Sequence, residues 1–217
     1  MKKVILFDLE GTLIESGYQI HPFLLKILHK ETKKFLIKIG VPESILKKIN
    51  KSVYLRNKAL EWSEKNLSFK DYLKIRDKIE KFMLKYDMIA AKTSVIYPET
   101  VTVLNRFKNN GIKMCIITNT SKKAAYHIIN KFKLNTFFNM IVTREDVKKL
   151  KPEPDMILKI ISKIHAEEYW VIGDSKVDIL SAKKCKINSI LIKRDGTKPK
   201  YDANYVIQNL EEILQII

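Results

Sequence analysis

The sequence has few of the residues that would cross-link a small domain or bind a soft metal ion. Only two of its 217 residues are cysteines, Cys115 and Cys185, which is too few for a disulfide framework or a cysteine-based zinc site. Its four histidines show no spacing typical of metal ligands. A chain of this length buries roughly 70% of its unfolded surface, so folding needs neither kind of cross-link.

Long apolar runs are also absent. No stretch approaches the roughly 20 apolar residues of a membrane-spanning helix. The apolar run near the N-terminus, VILF, ends at Asp8 and is shorter than a signal peptide requires. We therefore expect a soluble, cytoplasmic protein without a membrane partner.

Arginine is scarce although the chain is strongly basic. The formal net charge is +17, yet only five of the 41 basic side chains are arginines and the rest are lysines spread along the chain. Arginine is the residue that reads phosphates and bases in bidentate fashion, so nucleic acid is not the expected partner. We interpret the lysines as a solvated surface that helps small anions to approach.

Short apolar runs alternate with amphipathic segments over most of the chain. The pattern predicts strands over residues 2–8, 112–118, 139–143, 169–173, 189–193 and 205–207. It predicts helices over residues 98–110, 121–133, 154–165 and 176–184, and from 209 onwards. Strands separated by single helices indicate an α/β fold, a three-layer sandwich with a parallel sheet.

One segment departs from this alternation. Between residues 21 and 91 strand signals nearly vanish and a helical period takes over. Residues 14–93 carry 18 basic and 9 acidic side chains, about half of the net charge. We predict a helical domain over residues 15–93, inserted into a core of residues 1–14 and 94–217. Residues 16–20 and 93–97 would be the two hinges.

The helices of this insertion can be placed from their apolar stripes. A first helix should end before Gly40, and a second should begin near Pro42, with Ile45, Ile49 and Val53 on one face. A third should start at Ser68, where Ser68 and Asp71 predict a capping box with aspartate in the place of glutamate.

Polar residues gather where the predicted parallel strands end, which is where ligands bind in such sheets. They are Asp8, Glu10, Thr118, Asn119, Lys151, Asp174 and Asp178. Clustered carboxylates repel one another unless a divalent cation neutralises them, and oxygen ligands favour magnesium. A hydroxyl, backbone amides and a lysine suit the oxygens of a phosphoryl group. The set predicts a metal-assisted phosphoryl site with Mg²⁺ as cofactor.

Four short motifs carry a family resemblance. FDLEGTL, IITNTS, KPEPD and VIGDSKVD, in this order, resemble the motifs of the haloacid dehalogenase superfamily of hydrolases. The resemblance implies a Rossmann-like core and makes the insertion an α-helical cap. A cap directly after the first motif is similar to the subgroup that contains phosphoglycolate phosphatase and beta-phosphoglucomutase.

The resemblance also implies roles for the site residues. Asp8 would be the nucleophile, with Glu10 as general acid and base. Metal ligation would fall to Asp8, Asp174 and the backbone carbonyl of Glu10, supported by Asp178. The phosphoryl group would be held by Thr118, the amide of Asn119 and Lys151, which also contacts the nucleophile.

Glu10 departs from the usual pattern, because family phosphatases mostly have a second aspartate there. The extra methylene must fold back to bring the carboxyl group to the same point, and a shift of about 1 Å can cost roughly a hundredfold in rate. A retained carboxylate argues against the dehalogenase and phosphonatase reactions of the superfamily. The enolase-phosphatases also read Asp-x-Glu-Gly-Thr, so glutamate is compatible with activity.

The sequence therefore predicts a Mg²⁺-dependent phosphatase that hydrolyses a small phosphorylated metabolite through an aspartyl-phosphate on Asp8. Two other enzymes stay open: a phosphosugar mutase of the same superfamily and an enolase-phosphatase-like activity suggested by Glu10. A non-enzymatic alternative is an anion- or nucleic-acid-binding protein with a decayed site. The expected assembly is a monomer or a homodimer.

Overall fold

The computed structural model describes residues 2–217. We call residues 15–93 the helical insertion and the remainder the α/β part. The strands are β1 (Lys3–Phe7), β2 (Ile14–Glu15), β3 (Val95–Ile96), β4 (Lys113–Ile117), β5 (Met140–Val142), β6 (Glu168–Gly173), β7 (Asn188–Ile192) and β8 (Tyr205–Ile207). The α-helices are α1 (Gly17–Ile20), α2 (Phe23–Lys38), α3 (Glu43–Leu46), α4 (Ser52–Asn66), α5 (Phe69–Thr93), α6 (Thr100–Asn109), α7 (Lys122–Lys131), α8 (Asp155–Ile161) and α9 (Lys176–Lys184).

A parallel sheet forms the centre of the α/β part. Within residues 2–217 it has six strands in the order β5-β4-β1-β6-β7-β8, and each neighbouring pair is parallel. Strand β1 lies in the interior and is apolar on both faces, as is typical of parallel sheets. Its Ile5 and Phe7 enter one buried cluster, and its Val4 and Leu6 enter the other.

Helices cover both faces of this sheet. Phe107 of α6 and Ile128 of α7 belong to the cluster of Phe7, whereas Ile160 of α8 and Ala182 of α9 belong to the opposite cluster. The predicted α/β three-layer fold is confirmed. Its connections bring the carboxyl ends of β1, β4 and β6, which are adjacent in the sheet, to one edge.

The helical insertion has an apolar core of its own. Leu36 of α2, Leu55 of α4 and Ile79 of α5 are fully buried in one cluster that is separate from the two clusters of the sheet. A domain is expected to bury its own core. The division of the chain at residues 15–93 stays a prediction.

The second helix of the insertion differs from the prediction. Helix α3 covers only Glu43–Leu46, and Lys48 then adopts a positive φ of 64° before α4 begins at Ser52. A left-handed residue interrupts the helix, so Ile49 and Val53 do not continue its face. Ile49 packs on the core of the insertion, whereas Val53 packs on a cluster of the sheet.

Helix α5 begins at Phe69, one residue after the predicted start, and Ser68 is its N-cap. The Ser68 hydroxyl accepts from the Asp71 amide at 3.2 Å, which is one half of a capping box. The other half is absent from the described residues, because the Asp71 carboxylate accepts from the Ser68 hydroxyl instead of the Ser68 amide.

No helix within residues 2–217 is both long and apolar enough to cross a membrane.

Helix lengths near the C-terminus also differ from the prediction. Helix α8 ends at Ile161, four residues short of the predicted end. The last predicted helix is a 3₁₀-helix, Leu210–Gln215, whose first turn is capped by the Asn209 side chain. Short 3₁₀ segments are frequent at helix ends and in connections.

The two chain crossings between the insertion and the α/β part lie side by side. Strand β2 precedes the insertion and β3 follows it, and they pair antiparallel, with Ile14 opposite Ile96 and Glu15 opposite Val95. This short two-stranded ribbon joins the two parts at one place. The assignment of residues 16–20 and 93–97 as hinges stays a prediction.

Candidate active site

The predicted site residues meet at the carboxyl edge of the parallel sheet. Asp8 directly follows β1, Thr118 follows β4, and Asp174 follows β6, with Asp178 in the first turn of α9. Lys151 comes from the connection between β5 and α8. The last residues of β1, β4 and β6 are apolar or glycine and buried, so a polar side chain appears where the chain leaves the sheet.

Lys151 lies at the centre of the site. Its Nζ is 2.8 Å from Asp8 Oδ1 and 2.6 Å from Asp178 Oδ1, and it donates a third bond to the Ile117 carbonyl at 2.8 Å. The lysine side chain is only 1% exposed. Burial alone would lower the pKa of Lys151, but the carboxylates of Asp178 and Asp8 outweigh it and raise the pKa above its usual value. Lys151 is therefore a fixed positive charge.

The Asn119 side chain helps to fix this lysine. Asn119 Nδ2 donates to the Lys151 carbonyl at 3.1 Å, and the Lys151 amide donates to Asn119 Oδ1 at 3.0 Å. This pair of hydrogen bonds ties the loop after β4 to the loop before α8. The sequence predicted that the Asn119 amide binds phosphate; it gave no sign of the positioning contact made by the side chain.

Asp178 is held from two sides. Its Oδ1 accepts from Lys151, and its Oδ2 accepts from the Ser175 hydroxyl at 2.5 Å and the Ser175 amide at 3.2 Å. Together with the Ser175 hydroxyl these contacts form a capping box at the start of α9. Asp178 thus orients Lys151 and sits within reach of the other two aspartates.

Three carboxylates form a candidate metal site. One oxygen each of Asp8, Asp174 and Asp178 can be chosen so that all three atoms lie within 4.8 Å of one another. Burial and the charge of Asp178 raise the pKa of Asp174 to about 7. Burial also raises the pKa of Asp8, with Lys151 opposing and the other two aspartates adding to the rise. The three carboxylates repel one another when they are charged, and a hard divalent cation such as Mg²⁺, which prefers oxygen ligands, would relieve that repulsion.

Gly11 makes room for this cluster. It has a positive φ of 85°, and a Cβ added there would collide with Asp174 Oδ2 and Asp174 Cγ. Only glycine combines that backbone conformation with such a close approach. The Gly-Thr turn after β1 therefore places Asp174 against the Asp8 segment.

Glu10 lies apart from the three aspartates, on the side of the helical insertion. The Ser16 hydroxyl donates to Glu10 Oε1 at 2.8 Å, and the Thr120 hydroxyl makes a short bond to Oε2. Burial raises the pKa of Glu10 above its usual value, although both hydroxyls act against the rise. A buried carboxyl with a raised pKa suits proton donation.

The Thr118 hydroxyl forms a hydrogen bond within the loop that follows β4. It is 1% exposed and accepts from the Thr120 amide at 3.2 Å. Thr118 directly follows β4, the strand beside β1, so it lies next to the Asp8 segment at the edge of the sheet.

The chain was compared with known protein families and structures. A family model described as haloacid dehalogenase-like hydrolase matches residues 5–192. The chain belongs to this family. The family match confirms the resemblance drawn from the four motifs and makes the protein an enzyme, a hydrolase, rather than the binding protein considered as an alternative.

Haloacid dehalogenase-like relatives match along most of their length. A putative pyrophosphatase, PpaX, of Caldanaerobacter subterraneus is 29% identical over 219 residues, covering 98% of this chain and 93% of that protein. A phosphoglycolate phosphatase of Aquifex aeolicus is 27% identical over 191 residues, covering 87% of this chain and 84% of that protein.

Solved structures of similar hydrolases share the fold. A phosphatase of the haloacid dehalogenase superfamily from Thermococcus onnurineus superposes with a TM-score of 0.64 at 26% identity, covering 100% of this chain and 97% of the other. A hydrolase from Pseudomonas syringae gives a TM-score of 0.68 at 25% identity, covering 98% and 96%.

The hydrolase also contains a buried ionic network that the sequence analysis missed. Arg144 Nε lies 2.6 Å from Glu80 Oε2 and Arg144 Nη1 lies 2.7 Å from Asp87 Oδ2. Arg56 reaches the same Glu80 at 2.6 Å. Glu80, Asp87 and Arg56 belong to the helical insertion and Arg144 to the α/β part, so the network joins the two parts beside the site.

Asp87 links this network to the neighbourhood of Glu10. It accepts from the Tyr18 hydroxyl at 3.2 Å and from the Ser121 amide at 3.3 Å. Its charge contributes to the raised pKa of Glu10. The insertion thus delivers a carboxylate next to the candidate proton donor.

Mg²⁺ is expected to stabilise the hydrolase against unfolding, and Asp174→Asn is expected to remove most of that effect. A ligand at 100 times its Kd adds about 2.7 kcal/mol to the free energy of unfolding. Without metal, Asp174→Asn should be at least as stable as the wild type, because it removes one charge from a buried, mutually repelling cluster. Thermal unfolding with Mg²⁺ or EDTA measures both effects.

Asp77→Asn is the matched control, since Asp77 is an exposed residue of α5. It should respond to Mg²⁺ as the wild type does. A wild-type protein with the same melting temperature in Mg²⁺ and in EDTA would contradict the metal site.

Proposed function

We propose that this hydrolase is a Mg²⁺-dependent phosphatase that cleaves phosphate monoesters through an aspartyl-phosphate on Asp8. The observation that supports it is the contact of Lys151 Nζ with both Asp8 Oδ1 and Asp178 Oδ1, within a cluster that also contains Asp174. The names of the pyrophosphatase and phosphoglycolate phosphatase relatives agree with phosphoryl chemistry.

Asp8 is oriented for nucleophilic attack on phosphorus. Its Oδ1 accepts from the Leu9 amide at 2.8 Å and from Lys151, while Oδ2 has no hydrogen bond among residues 2–217. Fixing one oxygen leaves the other for the phosphorus atom, and a carboxylate nucleophile divides the hydrolysis into two steps. When bound, Mg²⁺ would supply positive charge that offsets the negative charge of the phosphoryl group.

Lys151 stabilises the charge that develops in the transferred group. Its contacts with Asp8 and Asp178 fix the ammonium beside the nucleophile before the substrate arrives. A pre-oriented charge in a buried site needs no reorganisation during the reaction. We propose that the Thr118 hydroxyl and the Asn119 amide hold the remaining phosphoryl oxygens.

Glu10 is proposed as the general acid and base. It donates a proton to the leaving alkoxide in the first step and takes one from the attacking water in the second. Burial raises the pKa of Glu10 above its usual value, which favours the protonated form that the first step needs. The hydroxyls of Ser16 and Thr120 hold the longer side chain in a single position.

Glu10→Gln is expected to lower kcat by roughly 10²- to 10⁴-fold, the usual contribution of a positioned acid or base. Glutamine keeps the size and can still accept from Ser16, so the fold should be retained. Glu10→Asp should also lower kcat, because the shorter side chain cannot reach both hydroxyls. Wild-type activity in Glu10→Gln would contradict the assignment.

The helical insertion is proposed to act as a cap over residues 1–14 and 94–217. Its Asp87 lies beside the site, and its Glu80 and Asp87 contact Arg144 of the α/β part. Movement about the β2–β3 ribbon would admit the substrate, and closure would exclude water from the first step.

A screen of phosphate monoesters with Mg²⁺ tests the function. Phosphate release is expected with Mg²⁺, to be lost in excess EDTA and to return when Mg²⁺ is added back. If the purified protein released no phosphate from any ester in the presence of Mg²⁺, the proposed function would be wrong.

A further inference from the structure

Two hydroxyls from separate segments hold the carboxyl group of Glu10. The Ser16 hydroxyl donates to Oε1 at 2.8 Å, and the Thr120 hydroxyl donates to Oε2. Ser16 is the N-cap of α1, whereas Thr120 lies between β4 and α7, and both residues are buried. We call this pair of hydroxyls the Glu10 clamp. Its two segments are distant in sequence, so the position of Glu10 depends on what fixes the spacing between them.

The Asp87 carboxylate of α5 is bonded to a neighbour of each hydroxyl of the Glu10 clamp. Its Oδ1 accepts from the Tyr18 hydroxyl at 3.2 Å, and its Oδ2 accepts from the Ser121 amide at 3.3 Å. Tyr18 is itself tied to the clamp, because its amide donates to the Ser16 hydroxyl at 3.2 Å. Ser121 is the next residue after the other hydroxyl of the clamp. One buried carboxylate therefore joins the two segments.

Arg144 fixes Asp87 relative to the α/β part. Its Nη1 lies 2.7 Å from Asp87 Oδ2, and its Nε lies 2.6 Å from Oε2 of Glu80 on the same helix. The backbone amide of Arg144 donates to the Thr120 carbonyl at 3.2 Å. Arg144 is thus bonded both to α5 and to the loop that carries one half of the clamp. Paired charges in a buried network hold one another in a fixed arrangement.

The contacts of Asp87 indicate a role in positioning and not in proton transfer. Each of its two oxygens already accepts a hydrogen bond from a protein donor. Within residues 2–217 the candidate metal cluster consists of Asp8, Asp174 and Asp178, and Asp87 is outside it. Asp87 therefore has partners on both sides of the Glu10 clamp and none of the reacting groups as a partner.

We propose that Asp87 is a positioning residue that holds the Glu10 clamp together and thereby sets where the Glu10 carboxyl meets the leaving oxygen. Without Asp87, the Ser16 and Thr120 segments lose their common anchor, and Glu10 no longer has a single position. A misplacement of about 1 Å caused by a distant mutation can cost roughly a hundredfold in rate. This inference rests on the proposed role of Glu10 as general acid.

Two probes that differ in their need for a proton test the inference, with the full-length protein and Mg²⁺. Benzyl phosphate and 4-nitrophenyl phosphate each carry one benzene ring. The benzyl alkoxide is a poor leaving group that needs a proton from a general acid, whereas 4-nitrophenolate leaves readily without one. The ratio of kcat/KM for the two probes therefore reports on proton donation, while a general loss of structure lowers both values alike.

Asp87→Ala is expected to lower kcat/KM for benzyl phosphate at least about tenfold more than for 4-nitrophenyl phosphate. Glu10→Gln should show the same selective loss and is the reference. If Glu10→Gln is selective and Asp87→Ala keeps the wild-type ratio, the inference is overturned while the phosphatase function stands. If the wild type cleaves neither probe, or if Glu10→Gln is not selective, the proposed function or the role of Glu10 is wrong instead.

The double variant Glu10→Gln/Asp87→Ala shows whether Asp87 acts through Glu10. Residues that act as a unit have effects that do not add. Asp87→Ala should therefore leave the ratio between the probes unchanged when Glu10 is already glutamine. A further selective loss in the double variant would show that Asp87 acts on the leaving group by another route, and it would overturn the inference.

Asp87→Asn is the conservative variant. The asparagine oxygen can accept from Arg144 and the Ser121 amide, and its NH₂ group can donate to the Tyr18 hydroxyl oxygen. We expect this variant to restore most of the ratio that Asp87→Ala loses. An Asp87→Asn protein as selectively impaired as Asp87→Ala would contradict positioning through these hydrogen bonds.

Tyr18→Phe keeps the test decisive if Asp87→Ala does not fold. It removes one hydroxyl and breaks the link on the Ser16 side, so it should cause a smaller loss of the same selective kind. Asp77→Asn is the matched control, because Asp77 is an exposed residue of the same helix and should keep the wild-type ratio. A folded Tyr18→Phe protein with the ratio of Asp77→Asn would overturn the inference.

Discussion

Asp8→Asn is expected to abolish phosphate release, lowering kcat by roughly 10⁴-fold or more, as for other essential nucleophiles. The amide cannot form an acyl-phosphate, because its nitrogen and oxygen are poor nucleophiles beside a carboxylate. The site should otherwise persist, since asparagine can still accept from the Leu9 amide and Lys151 through Oδ1. Steady-state phosphate release with Mg²⁺ and a small ester measures the effect.

The stability of Asp8→Asn separates chemistry from folding. Burial and the neighbouring aspartates raise the pKa of Asp8, so its charged form is disfavoured in the folded protein. The variant should therefore unfold at the wild-type temperature or above it in EDTA. Asp77→Asn, which is exposed on α5, is the control for purification and handling. A tenth of wild-type activity in a folded Asp8→Asn protein would exclude Asp8 as the nucleophile.

Lys151→Met is expected to have the second largest effect, on stability and activity together. It leaves Asp8 and Asp178 buried without their cation, and breaking a buried ion pair from one side typically costs about 3–5 kcal/mol. The loss of one pre-oriented charge in the transition state typically lowers kcat by about 10²- to 10³-fold. Chemical unfolding and initial rates measure the two losses.

Neighbouring residues provide the controls for Lys151. Lys149→Met removes an exposed lysine of the same loop and should change neither quantity by much. Asp178→Asn, combined with Lys151→Met, should recover part of the lost stability, because it removes one of the two stranded carboxylates. A Lys151→Met protein as stable and active as the wild type would contradict the central position of this lysine.

Much of the site could be predicted because its residues follow buried strands. Asp8 and Asp174 end apolar runs, and parallel strands bring such ends to one edge. Thr118 was found by the same pattern after β4. Lys151 is further from its strand, and the KPEPD motif was the signal that singled it out from the lysines beside it.

The contacts between the insertion and the α/β part could not be predicted. Arg144 and Glu80 are 64 residues apart, and Arg144 stands in a charged stretch that reads as an exposed loop. Local periodicity carries no information on which distant side chains meet. The break at Lys48 was missed for a similar reason, since a lysine gives no sign of a positive φ.

The net charge of +17 does not extend to the candidate active site, which is rich in carboxylates. The buried side chains around Lys151 are carboxylates, and many lysines lie on the surface of helices, where Lys58, Lys65 and Lys81 pair with acids of the same helix. Exposed pairs of this kind contribute little to stability. The excess of lysine is thus a property of the surface and not of the reaction centre.

The stereochemical course at phosphorus is the most direct test of the central claim, that the phosphoryl group passes through Asp8. A phosphorothioate monoester made chiral by oxygen isotopes would be hydrolysed in isotopically labelled water with Mg²⁺. Attack by Asp8 followed by attack of water gives two in-line inversions, so the account predicts net retention of configuration. Net inversion would show that water attacks the substrate in a single step and would contradict the account.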